Sequence, residues 1–173
     1  MRRLVMGVLV LGAVGALGAA AAALAGDDYG YGGGSTSQST AGASSASSET
    51  YVFKAALTRG QEVPRPVGAK ATAAGTFSAT TKEQGSTRTF HWKLTFRNLT
   101  GKAVAAHVHM GKRGVSGPVL IPLCGPCRNG QTGTLKITSA AEDAMERGNA
   151  YVNVHTAKNK GGEIRGQIRV VAS

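Results

Sequence analysis

Apolar and polar positions alternate most cleanly between Thr89 and Arg97. Phe90, Trp92, Leu94 and Phe96 fall on one side, and His91, Lys93, Thr95 and Arg97 on the other. A period of two over that length predicts a half-buried strand. Shorter stretches of the same kind run from Tyr51 to Thr58, Ala71 to Thr80, Val104 to Met110 and Val119 to Leu123. Three more follow from Thr132 to Thr138, Tyr151 to His155 and Glu163 to Val170, with turn-forming residues between them. One helix interrupts the series. Ser139 with Glu142 three residues on has the form of a capping box, and Gly148 supplies a stop. Asn159-Lys160-Gly161-Gly162 predicts the turn of a hairpin joining the last two strands. About eight short, mostly antiparallel strands with one short helix predict an all-β domain, either an antiparallel β-sandwich or a flattened Greek-key barrel.

This pattern begins only near residue 50. Met1-Arg2-Arg3 is a basic start, followed by an apolar run from Leu4 to Ala25 that ends in Ala23-Leu24-Ala25. The small-residue ending predicts a signal peptide over residues 1–25, cut before Gly26. An uncleaved membrane anchor is the alternative, but twelve of the 22 residues in the run are Ala or Gly, which makes a weak span. Residues 26–49 are rich in Ser, Gly, Thr and Ala and predict a disordered linker, with nothing to bury against a core. The folded part is then residues 50–173, and the expected destination is the cell envelope or the medium.

Charge sharpens this division. The linker carries three acids and no base, whereas residues 50–173 carry 18 Lys and Arg against six Asp and Glu. A basic surface attracts polyanions. The cations are scattered along strands without interleaved aromatics, so no specific nucleic-acid partner is expected. An envelope polymer of anionic character, or a protein, fits better. At 173 residues one domain is expected, and no Walker loop, dinucleotide fingerprint or nucleophile elbow occurs. Glu142, Asp143 and Glu146 share the short helix and read as a solvated face.

The chemistry lies in the histidines. In His107-Val108-His109 the two rings share one face of a strand, about 6.6 Å apart along the chain. Val104, Ala106 and Val108 are expected on the opposite, core-facing side. His155 ends Tyr151-Val152-Asn153-Val154-His155, again with valines behind it. If these strands are neighbours, three imidazoles converge on a site suited to Cu, Zn or Ni. Asn153 and Glu163 are candidate outer partners that orient the rings. A polar cluster that only fixes turn geometry is the other reading of the trio, and His91 reads as a surface residue. Cys124-Gly125-Pro126-Cys127 lacks the strand-then-helix context of a thiol oxidoreductase. In an exported chain, a local disulfide between Cys124 and Cys127 is the simplest reading; a redox pair and a Cu(I) dithiol are the others.

Several blocks occur in a telling order. They are Leu57-x-x-Gly60-Gln61-Glu62-Val63-Pro64, Gly75, Ala106-His107-Val108-His109-x-Gly111, Gly117-Pro118-Val119, Gly133 and Gly148-x-x-Tyr151-Val152-Asn153-Val154-His155-Thr156. Gly161-Gly162-Glu163-Ile164-Arg165-Gly166-Gln167-Ile168 closes the series. Together they resemble the CHRD family over about residues 51–171. The resemblance implies an exported β domain with a binding role and no established catalysis. The chain departs from chordin itself in having a single unit, so growth-factor binding is not carried over. The order of His107, His109, His155 and Arg165 is also similar to Cu/Zn superoxide dismutase, where such histidines hold copper and such an arginine guides the anion. Val119 stands where that family's bridging histidine would be, and no zinc-ligand cluster follows. The leading expectation is therefore a non-enzymatic binding module with no established cofactor. Its alternative is a mononuclear three-histidine copper protein with Arg165 as electrostatic neighbour, redox-active towards superoxide.

Overall fold

The computed structural model describes residues 49–173. The expected signal peptide, and all but the last residue of the expected linker, lie outside the described residues. Among the described residues there are nine strands: β1 (Thr50–Thr58), β2 (Ala74–Gln84), β3 (Thr87–Arg97), β4 (Ala103–Met110), β5 (Val119–Cys124), β6 (Gln131–Ile137), β7 (Ala150–Thr156), β8 (Ile164–Gln167) and β9 (Arg169–Ala172). An α-helix, α1 (Ser139–Glu146), lies between β6 and β7, and a 3-10 turn (Arg59–Gln61) follows β1. The strands form one continuous sheet in the order β5-β4-β7-β8-β1-β2-β3-β6, with β9 paired to β1. All the pairings are antiparallel. Of the two expected forms this is the barrel, one nearly closed sheet curled around one core.

The period of two places the core. Phe53, Phe77, Phe90, Leu94, Val108, Val152 and Ile164 are all buried inside the curl, and Met145 of α1 joins them. Trp92 faces Gly133 across the β3–β6 ladder. A Cβ on Gly133 would stand 2.6 Å from the indole carbons, so the missing side chain is what lets the ring lie flat there.

Four details differ from the sequence reading. The expected last strand is two, because the chain changes partner at Ile168: β8 pairs with β7, and β9 pairs with β1. Val104 is exposed rather than core-facing, since a register shift between Ala103 and Ala105 turns Ala103 inward in its place. The helix is capped one residue earlier, by the Thr138 side chain accepting from the Ala141 amide. Glu142 is accordingly no capping residue and no solvated acid: it is buried and ion-paired with Arg88 of β3.

Candidate metal centre

The pairings of β4, β7 and β8 line up three rows of outward-pointing side chains. His107 stands opposite Asn153, which stands opposite Arg165; His109 stands opposite Tyr151, and Tyr151 opposite Gln167. Ala105 lies opposite His155. This is the outer face of the barrel, yet Arg165 and Asn153 are each 1% exposed and His155 is 8% exposed. The cover is made of loops. Connections 59–73, 111–118 and 157–163 fold over the face and are tied to one another. Ser116 donates to the Val63 carbonyl, and the Val67 amide donates to the side-chain oxygen of Asn159 at 2.7 Å.

Under that roof the three histidines converge, one nitrogen from each lying within 4.8 Å of the others. His107 Nδ1 is 3.1 Å from His155 Nε2. His155 Nδ1 lies 2.9 Å from the Lys160 carbonyl, and His109 Nδ1 lies 2.9 Å from the Gly117 carbonyl. A carbonyl oxygen only accepts, so both Nδ1 atoms carry the proton and both Nε2 atoms are left with lone pairs. The His109 Nε2 is buried and has no partner. Burial lowers the affinity of all three rings for protons, and for His107 the neighbouring His155 and His109 add to it. They are held neutral at pH 7, the form that ligates metal.

Tyr151 connects this trio to Arg165. Its ring stacks on His109 at 5.0 Å and 8°, and the Arg165 guanidinium stands 3.3 Å from the centre of the same ring. Arg165 Nη2 donates to the Lys112 and Val115 carbonyls at 3.0 and 2.9 Å, while Nη1 is buried without a partner. Its charge also depresses the proton affinity of His109, after burial. Asn153 sits between the histidines and a carboxyl absent from the sequence reading, that of Glu62. Glu62 is buried, takes the Val63 amide on Oε1, and leaves Oε2 without a partner. Gly162, at φ +129°, makes room for it: a Cβ there would overlap Oε2. The Gly60-Gln61-Glu62-Val63-Pro64 block was the one signal for this residue, because its position depends on a loop reaching across from β1.

Glu163 makes no hydrogen bond to the rings. Its carboxylate accepts from the Thr100 amide and hydroxyl, the Thr156 hydroxyl and the Asn159 side chain. It braces the base of the roof rather than orienting a histidine directly. Cys124, the last residue of β5, and Cys127, in the loop that follows, stand at disulfide distance, 2.10 Å between sulfurs. His91 is exposed on the far side of the barrel and pairs with Thr134.

Burial raises the Glu62 carboxyl to about 7, well above its ordinary 4.5. Unfolding frees it to ionise at the lower value, so the stability it contributes is fully present below pH 4.5 and is lost as pH rises through 7. The histidines act with the opposite sign, because their lowered native affinity penalises the fold as pH drops below about 6.5. Glu62→Gln isolates the first effect. The stability gap between this variant and the wild type, from denaturant melts, should widen in favour of the variant between pH 4.5 and 7, at up to about 1.4 kcal/mol per pH unit. A constant gap would show that Glu62 is ionised in the fold.

The motif order and the geometry agree with comparison to known proteins. The CHRD domain family matches residues 53–168, which is more than half of the chain. No curated protein and no solved structure matches it. Most of β1, all of β2 to β8, the two histidine strands and the closing hairpin lie inside the matched span, and the chain belongs to the CHRD domain family.

Proposed function

We propose that this chain is an exported CHRD module that binds one transition-metal ion, copper in preference to zinc, through His107, His109 and His155. One observation carries the reading. Two of the three rings are already fixed as Nδ1–H tautomers by backbone carbonyls, which is the outer-shell arrangement that orients metal-ligating histidines. The third, His107, reaches the site with Nδ1 and is partly exposed, so its proton can move to the solvent-facing nitrogen as the lone pair turns to an ion. Three imidazoles with no thiolate or carboxylate among them suit Cu, Zn and Ni, and the general affinity order places copper first. The apolar N-terminal run and the cysteine pair support export; the folded module then works in the envelope or the medium.

The test is a titration of purified, tag-free protein with Cu(II) and Zn(II), followed by desalting and elemental analysis. One copper per chain is expected. Because the rings are neutral beforehand, uptake at pH 7 should release less than about one proton, read by calorimetry in two buffers. No ion retained after desalting, or copper retained after all three histidines are replaced, overturns the proposal.

A further inference from the structure

On the other side of the barrel, strands β1, β2, β3 and β6 present an outer face that the metal centre does not use. Its side chains form regular rungs. Thr50, Lys82, Thr89 and Lys136 lie in one register row. Val52, Thr80, His91 and Thr134 lie in the next. Lys54, Ser78, Lys93 and Thr132 form the third. Rows are about 6.6 Å apart and strands about 4.8 Å apart, so two lysine-bearing rows flank one row of hydroxyls and imidazole across about 13 Å. The middle of this face is a groove of about 490 Å³. Lys54, Lys82, Lys93, Arg97 and Lys136 are exposed, none has an acidic partner among the described residues, and no acidic residue points outward from these four strands.

The composition of the face selects its occupant. Single-stranded nucleic acid needs aromatic platforms, and the aromatic rings of β3 point into the core instead. A protein partner needs large buried anchors, and the three rows offer only Val52. Four of the five cations are lysines, which act as point charges and do not demand the planar geometry of a forked pair. The Ser and Thr hydroxyls between them both donate and accept, which suits a ligand that is itself rich in hydroxyls. We propose that this face binds an extended acidic glycan, its carboxylates meeting the lysine rows and its hydroxyls meeting the threonine row. The inference rests on the envelope-module reading and is independent of the metal ion, whose binding is measured separately.

Full-length protein is tested for retention on immobilised polygalacturonate, with dextran as the uncharged glycan and polyphosphate as the hydroxyl-free polyanion. Expected are retention on polygalacturonate that weakens steeply with salt, none on dextran, and weaker retention on polyphosphate. Lys54→Gln/Lys93→Gln should cost at least about ten-fold, and Lys70→Gln/Lys102→Gln, which removes equal charge elsewhere, less than about three-fold. Thr80→Val/Thr134→Val should weaken the glycan and leave polyphosphate unchanged, with circular dichroism confirming the fold of each variant. Equal losses in the two lysine pairs, polyphosphate bound as tightly as the glycan, or no retention of wild type overturns the proposal.

Discussion

His155→Ala is expected to lower copper affinity by more than about 100-fold, since removing an outer partner of a ligand alone costs 10–100-fold. His155 stands 4.9 Å from His107 and 6.1 Å from His109 between centroids, and it is the deepest of the three rings. Its only hydrogen bond to the main chain goes to Lys160, so the metal-free protein should lose just about 1 kcal/mol. The two effects separate in one experiment. Competition with a coloured chelator reports affinity, while melting with and without copper reports linkage. Wild type should be stabilised by added copper as mass action requires, and the variant should melt at the same temperature with or without it. His91→Ala, on the far face, should leave both readouts alone. Unchanged affinity in His155→Ala would remove the proposed site.

Glu163→Ala is expected to be the most damaging single change to stability in the roof, at about 3–5 kcal/mol, because several buried donors lose one acceptor at about 1–3 kcal/mol for each left unpaired. Glu163 is fully buried, and its removal takes an acceptor from an amide, two hydroxyls and an amide side chain at once. Burial alone would raise this carboxyl, but the hydrogen bonds from Thr100, Thr156 and Asn159 outweigh it and hold it below the usual carboxylate range. Its stabilisation is therefore present above the ordinary carboxylate value and is lost as pH falls through the lowered native one. That is the reverse of Glu62. Denaturant unfolding at pH 7 measures the cost, and Glu163→Gln, which keeps one acceptor, should fall between alanine and wild type. A loss under about 1 kcal/mol for alanine would mean that water replaces the carboxylate.

The fold was legible wherever two-residue periodicity and burial agree. Phe90 to Phe96 shows the phase of β3 directly, and the same rule puts His107 with His109, and Tyr151 with Asn153 and His155. Neighbouring valines on β4 and β7 then identify the core side. Legibility ends where the phase slips or a partner comes from afar. Val104 obeys the letters of the alternation but not the register shift next to it. Glu142 sits on a helix whose other acids are exposed or half-buried, and Arg88, 54 residues earlier, explains why it is buried. Glu62 and the Gly117 and Lys160 carbonyls belong to loops whose closure depends on contacts between distant segments. The histidine trio could be read from the sequence; the groups that fix its tautomers could not.

The tie between Val67 and Asn159 spans 92 residues, and it joins the first long connection of the domain to the last. Such long-range closures are costly to reach and tend to form late in folding. A nascent chain that has emerged as far as Cys124 owns His107 and His109, but neither His155 nor the Lys160 carbonyl that sets its tautomer. On the proposed metal-binding function, the order of synthesis sets the order of loading. An ion can be captured at full strength only once the final hairpin has docked and the lid has shut, so bound copper would certify a finished barrel.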